Sequence, residues 1–353
     1  MVTIGVDPHK RSHTAAAVLP GGHEVAGEIT VQADQAGYRS LLRWADGFGS
    51  DRCWAVENAH GLGQNLAQWL IGCGETVVDV PATATARVRT LSRGHGRKTD
   101  GLDAAAAASV AAGRGDASVV GADGEAEVLA LLDERRTNLT AERVRIANQL
   151  HGLLRDLVAG GAPGRIKADA AARIVDSVEP GNVADTTRKR LAEDLVADLR
   201  SVDGRLAANR REIEAAVAVV DTSLTDIVGV GAVVAGRLVG RTGDPDRFPT
   251  ESHFASYCGV APVEISSGPQ VRHRLSRAGD RQLNSALHTA AIAQIRMVGS
   301  EGHTYYQRKI TEGKNPKEAR RCLKRRIAAR VWRMMKADKD RHKRKNEKMT
   351  AVA

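Results

Sequence analysis

Aromatic residues are scarce in this chain: Phe, Tyr and Trp make up only 3% of it. Its core must therefore be built mostly from Val, Leu, Ile and Ala, and 353 residues are enough for roughly two or three domains. Cysteine is scarce as well. Cys53, Cys73, Cys258 and Cys322 lie far apart and form no Cys-x-x-Cys pair, which argues against a zinc site and against a disulfide framework. No apolar run approaches the ~18 residues that a membrane span requires. The N-terminus enters a strand pattern with no signal-peptide signature, so the expected location is a reducing cytoplasm. Acidic residues are rare near the C-terminus. From His303 to Lys348, 18 Lys and Arg face 5 Asp and Glu, a net +13, which leaves −3 for the rest of a chain whose total is +10. Such a cluster reads as a nucleic-acid contact or as a solvated basic helix.

What is present begins with Met1-Val-Thr-Ile-Gly-Val-Asp-Pro-His-Lys10. Val2, Ile4 and Val6 read as a buried strand. Asp7 falls where that strand should end, and strand ends are where an α/β sheet presents its chemistry. The plain alternative is an Asp that starts a turn before Pro8. Residues 14–18 and 23–31 read as two returning strands joined through Gly21-Gly22, followed by a helix over 35–44. Cys53–Val56 is a further strand with Glu57 at its end, then a helix carries Leu66, Trp69 and Leu70, and Thr76–Val80 is the next strand. Arg87 to Lys98 reads as a basic, glycine-containing loop.

Thr99 can cap a helix running through the Ala-rich stretch 104–112. Asp100 and Asp103 then share a face of its first turn, where carboxylates also suit the helix dipole. One α/β segment thus holds four carboxylates, Asp7, Glu57, Asp100 and Asp103. If they converge they need a divalent cation, and hard oxygen ligands suit Mg²⁺ or Mn²⁺. Two such ions about 4 Å apart would clamp the attacking and leaving oxygens of a phosphodiester.

Beyond 125 the period changes. Leu132, Leu139, Ile146 and Leu153 are seven apart, as are Leu199, Leu206, Ile213 and Val220. Two heptad helices, over 125–158 and 184–220, joined through Gly160-Gly-Ala-Pro-Gly164, predict an antiparallel coiled-coil arm with Asn209 as a register-setting polar position. Ile227-Val-Gly-Val-Gly231 before an apolar run resembles a helix-hairpin-helix, whose backbone N–H groups grip a phosphate. Helices are expected over 248–257, 282–297 and 317–336. Ser266 and Ser267 stand before Gly268 in an expected loop, followed by Arg272, His273, Arg274, Arg277 and Arg281. Spacing leaves open an ordinary turn or a phosphate-facing serine.

On these residues the chain resembles the DEDD transposases of bacterial insertion sequences, the insertion-sequence 110/116/902 family. Gly5-Val-Asp7-Pro-His-Lys10, Val56-Glu57 and Lys98-Thr-Asp100-Gly-Leu-Asp103-Ala match the family's RuvC-like domain. Ile227–Gly231, Phe254–Pro262, Ser267-Gly268 and Leu275–Arg281 match its second domain. The resemblance implies a recombinase that moves its own DNA element, with Asp7, Glu57, Asp100 and Asp103 binding Mg²⁺ or Mn²⁺ and Ser267 attacking DNA to form a phosphoserine link. It also implies a noncoding bridge RNA as guide, and dimers pairing into tetramers that bring the acidic site of one subunit near the serine of another. Ser266 leaves the serine assignment one residue open. The expected organisation is an α/β RNase H/RuvC-like catalytic domain at 1–118, a coiled-coil arm at 119–222, a mainly helical transposase domain at 223–336, and a disordered basic tail at 337–353.

The nearest competing reading is a RuvC-like nuclease of the junction-resolvase type, which uses metal-activated water and no serine. A sugar-kinase-like ATPase would need glycine-rich phosphate loops after later strands, and the sequence has none. A non-catalytic nucleic-acid scaffold accounts for the basic cluster and leaves four placed carboxylates unexplained.

Overall fold

The computed structural model describes residues 1–21, 24–91, 99–113, 117–267, 270–275 and 279–350. The chain divides into two compact units, Met1–Asp123 and Gly124–Ala353. In the first, β1 (Val2–Pro8), β2 (Ser12–Val18) and β3 (Val25–Gln32) form an antiparallel meander. After α1 (Gln35–Asp46), β4 (Arg52–Glu57) adds parallel to β1. After α2 (Gln64–Gly72), β5 (Val77–Val80) adds parallel to β4. Then come α3 (Ala82–Leu91), α4 (Asp100–Ala112) and the two-residue β6 (Ser118–Val119), giving the sheet order β3-β2-β1-β4-β5-β6. This mixed sheet is the α/β unit expected at the N-terminus. Strand alternation sorts the side chains. Ile4, Val6, Trp54 and Val56 pack with Leu41, Leu66 and Leu70 of α1 and α2, while Ala55 and Val80 pack with Ala84, Ala107 and Val110 of α3 and α4.

The basic loop expected at 87–98 is corrected over its first part. Residues 87–91 complete α3, and 92–98 lie outside the described residues. The apolar turn Ala82–Ala86 can extend, because Arg is a good helix former.

The second unit opens with two long helices. α5 (Glu125–Leu157) and α7 (Val183–Val220) run antiparallel: Arg143 pairs with Asp203 at 2.6 Å, Arg205 with Glu142 at 2.6 Å, and Arg188 with Asp156 at 4.0 Å. The seam between them buries Leu139, Ile146, Leu150, Val196, Leu199 and Val202. Asn209 is buried in it, donating to the Leu132 carbonyl at 3.0 Å and accepting from Arg136 at 3.5 Å. The Gly/Pro joint expected at the tip is longer than a turn. It contains α6 (Ala168–Asp176), whose Ala171 and Val175 cap the seam's end.

A one-turn 3₁₀ segment, Ser223–Asp226, leads to α8 (Ala232–Thr242), so the element before the Gly229–Gly231 corner is not the α-helix a helix-hairpin-helix would have. Gly229 has φ +83°, and a Cβ there would meet Ala293 Cβ at 2.7 Å, so its first role is packing. A second 3₁₀ turn, Pro245–Arg247, precedes α9 (Glu251–Tyr257), and β7 (Pro262–Ser267) and β8 (Gln270–Leu275) form a two-stranded antiparallel ribbon. α10 (Arg281–Arg296), α11 (Glu301–Thr311) and α12 (Pro316–Thr350) finish the chain. No helix among the described residues is long and apolar enough to cross a membrane. Leu129, Ile213 and Val217 at the arm's root share one core with Leu238, Phe254, Leu287, Leu323 and Val331. The arm and the C-terminal helices are therefore one unit, although the sequence suggests separate domains at 119–222 and 223–336.

The tail expected to be disordered from 337 is helix through Thr350. Its first turn is tied to the rest of the unit by polar contacts. Asp338 accepts from Thr222 Oγ1 at 3.0 Å and Ser223 N at 2.8 Å, and Lys339 reaches Asp244 at 2.6 Å and Asp246 at 2.7 Å.

Asp133 joins the arm to α8. It is 1% exposed and pairs with Arg237 at 2.7 Å and Arg241 at 3.1 Å. Asp133→Ala removes the shared counter-ion from two guanidiniums that keep some access to water. We expect a loss of about 2–4 kcal/mol, below the full cost of orphaning a buried charge, read as a shifted midpoint in urea at unchanged slope.

Candidate active site

The site begins with a missing side chain. A Cβ on Gly5 would lie 1.8 Å from the Ala104 carbonyl oxygen and 2.6 Å from Ala108 N. Glycine therefore lets α4 lie directly on β1. Residues i and i+2 of a strand share a face, so Asp7 belongs to the α4 side of β1. The register Gly5↔Ala55 and Val6↔Val56 puts Glu57 beside it, at the end of the neighbouring parallel strand and on the same face. Thr99 caps α4 by accepting from Leu102 N at 3.3 Å, so Asp100 and Asp103 fall in its first turn.

Asp7 is 8% exposed and Asp103 4%; Glu57 is half-buried and Asp100 exposed. His9 stands between two of these acids, with its Nε2 3.6 Å from Asp7 Oδ2 and 3.3 Å from Asp100 Oδ1. One donor atom from each of Asp7, His9 and Asp100 lies within 4.8 Å of the others. The structure thus brings Asp7 and Asp100 together, buries Asp103 three residues along α4, and sets Glu57 at the adjoining strand end. Behind this group, burial and then the neighbouring His9 hold the His13 imidazole below its ordinary pKa. Carboxylates and an imidazole gathered this closely, part-buried beside further acids, fit a divalent cation. Sequence reasoning passed over His9. Its signal was its place two residues beyond Asp7.

Ser266 and Ser267 lie in the other unit. They are not in a loop, as expected, but are the last two residues of β7, with Ser266 opposite Val271 and Ser267 opposite Gln270. The branched residues of Val263-Glu-Ile and Val271 favour the ribbon. Gly268 and Arg277 lie outside the described residues, whereas Arg272, His273 and Arg274 are β8 positions and Arg281 opens α10. The ribbon's root is firmly tied. Gly259 has φ +64°, a Cβ on Gly279 would meet Gly259 N at 2.6 Å, and Asn284 Nδ2 donates to the carbonyls of Cys258 at 3.1 Å and Gly259 at 2.9 Å.

Comparison with known proteins covers both units. A family model described as a transposase matches residues 4–158, and a model of the Transposase IS116/IS110/IS902 family matches residues 221–307. The chain is 28% identical to the insertion element IS116 uncharacterized 44.8 kDa protein of Streptomyces clavuligerus, covering 95% of this chain and 94% of that one. It is 27% identical to the insertion element IS900 uncharacterized 42 kDa protein of Mycobacterium paratuberculosis, covering 95% and 96%. Among solved structures it is similar to Thermus thermophilus RuvC in complex with a Holliday junction substrate, at 16% identity and a TM-score of 0.25 over 31% of this chain and 91% of that one.

Gly5→Ala tests the close approach. The added methyl meets backbone, which cannot rotate away, so α4 must shift or the fold must absorb the strain. We expect a loss of about 1–3 kcal/mol and weaker binding of Mn²⁺ by calorimetry. An unchanged thermal midpoint and unchanged Mn²⁺ affinity would show that α4 does not depend on this contact.

Proposed function

From the premise that this chain belongs to the IS116/IS110/IS902 family of insertion-sequence transposases, and is thus a DNA transposase that transfers phosphodiester bonds, we propose that it cuts and rejoins DNA through an acidic metal site and a serine nucleophile. The observation that carries this reading is the meeting of Asp7, His9 and Asp100 at the end of β1. Asp7, Glu57, Asp100 and Asp103 are the residues that would hold Mg²⁺ or Mn²⁺, with His9 as a further donor. Such an ion, when bound, supplies Lewis-acid stabilisation of charge on a phosphoryl oxygen.

The remaining steps fall to the protein's own groups. Ser267 Oγ gives up its proton and attacks the phosphorus; the new P–O bond replaces the bond to the leaving strand, whose oxygen takes a proton. The phosphoserine ester keeps the bond energy. A hydroxyl of the incoming strand then attacks the same phosphorus, and Ser267 is released. Arg272 and Arg274 supply bidentate donors suited to a phosphate. The basic side chains of helix α12 contribute further contacts to the phosphate backbone. A noncoding bridge RNA guides the choice of donor and target. Self-association, as dimers pairing into tetramers, uses the outer face of the arm, where Leu131 and Val144 are exposed.

Two outcomes test this. Ser267→Ala abolishes cleavage and the covalent adduct trapped on a nicked suicide duplex, with folding and DNA binding retained. Continued cutting by Ser267→Ala means a water-based nuclease, and an adduct mapped to Ser266 moves the assignment by one. For the arm, Leu139 is buried within the protomer's own helix pair, so it reports on folding. Leu131→Asp with Val144→Asp reports on assembly and gives monomers by light scattering; an unchanged mass removes the arm's outer face from the interface.

A further inference from the structure

Lys324 on α12 is 7% exposed. Its ammonium donates to Asn284 Oδ1 at 2.5 Å, and among the described residues it has no second hydrogen-bond partner and no carboxylate within ion-pair distance. Lysine is almost never buried without a counter-ion, and two of its three donors are left over. Burial, and then the Arg320 cation, push its pKa down to about 8.

The Arg320 cation adds to this charge, and His288 supplies a further ring N–H rather than a counter-ion. Arg320 lies one turn earlier on the same face of α12, half-buried, with no hydrogen bond or ion pair among the described residues. His288 follows Asn284 by one turn on α10, which packs against α12, and burial and the Lys324 and Arg320 cations hold its imidazole below its ordinary pKa. The Cys258 thiol nearby is pushed up by burial and so stays protonated. Asp280 is already committed: it caps α10 through Gln282 N and Leu283 N and pairs with Arg241 at 2.9 Å.

Like charges held together in a partly desolvated site call for an anion. The position says which. Asn284, which holds Lys324, also donates to Cys258 and Gly259 at the root of the serine ribbon. From Pro262 to Ser267 the strand spans about 17 Å at ~3.3 Å per residue, so an anion at the root is not the phosphate that meets the serine. We propose that Lys324, Arg320 and His288, with Asn284 orienting the lysine, bind a non-scissile phosphate of the DNA backbone and so fix where the strand lies along the β7–β8 ribbon. The proposal rests on the transposase reading for the identity of the ligand as DNA.

The test is DNA binding by the full chain in EDTA, which makes it independent of strand cleavage and of the serine mechanism. Wild type, Lys324→Met and Arg320→Gln are titrated against a fluorescein-labelled duplex, and against RNA of the same sequence, between 50 and 200 mM salt. Each variant is expected to bind DNA roughly tenfold more weakly, as loss of a charge-assisted contact implies. Each should also flatten the slope of log K against log salt by about 0.9. Wild-type slopes for both variants would overturn the proposal, and so would a change confined to RNA. If Lys324→Met fails to fold, the more accessible Arg320→Gln decides alone. A lysine with a purely structural role would lower the thermal midpoint and leave the salt slope where it was.

Discussion

The first unit depends on the distance between β1 and α4, and that distance depends on Gly5. With hydrogen in place of a side chain, the helix backbone comes into contact with the strand. The Ala-rich sequence of α4 follows from the same constraint, because larger residues at Ala104 or Ala107 would push the helix away from the sheet. Asp103 immediately precedes Ala104 at this contact, Asp100 lies one turn before it, and Asp7 is two residues from Gly5. The acidic group is therefore positioned by packing between apolar surfaces, and its carboxylates do not have to attract one another to meet. This resolves the difficulty of gathering like charges: the burial of Ile4, Val6, Trp54 and Leu66 offsets their repulsion until a cation does so directly.

How much of this could be read in the sequence depended on the range of the signal. Period-two alternation in Val2–Val6 and seven-residue spacing in α5 and α7 are local, and both produced the expected elements. The ends of elements were less legible. The tail's charge alone reads as disorder, whereas Asp338 finds Thr222 and Ser223 more than a hundred residues away, and no local pattern carries that. Ser-Ser-Gly is a turn composition and reads as a loop; pairing with Val271 and Gln270 makes the two serines a strand. Asn209 was legible as a polar position in a heptad, and its partners across the seam agree with that role. His9 was missed for another reason. In sequence it is an isolated imidazole, and its place between Asp7 and Asp100 exists only once α4 has been brought across the sheet.

The buried charges of the second unit show how to separate groups that hold the fold from groups that await something. Asp133 has two guanidiniums, and Asp338 has Arg341 at 2.7 Å, a hydroxyl and a backbone N–H. Each of these desolvated anions is compensated by neighbours the fold itself supplies, which is the condition for burying charge at tolerable cost. Lys324 breaks the pattern. Among the described residues its partner is a neutral amide oxygen, and the Arg320 cation one turn away on α12 has the same sign. An apolar residue of similar length would avoid the desolvation penalty but leave Asn284 Oδ1 without this donor. The bond to Asn284 uses one of the ammonium's three donors, which leaves two for a ligand, and in a protein that handles DNA the anion in greatest supply is the backbone phosphate.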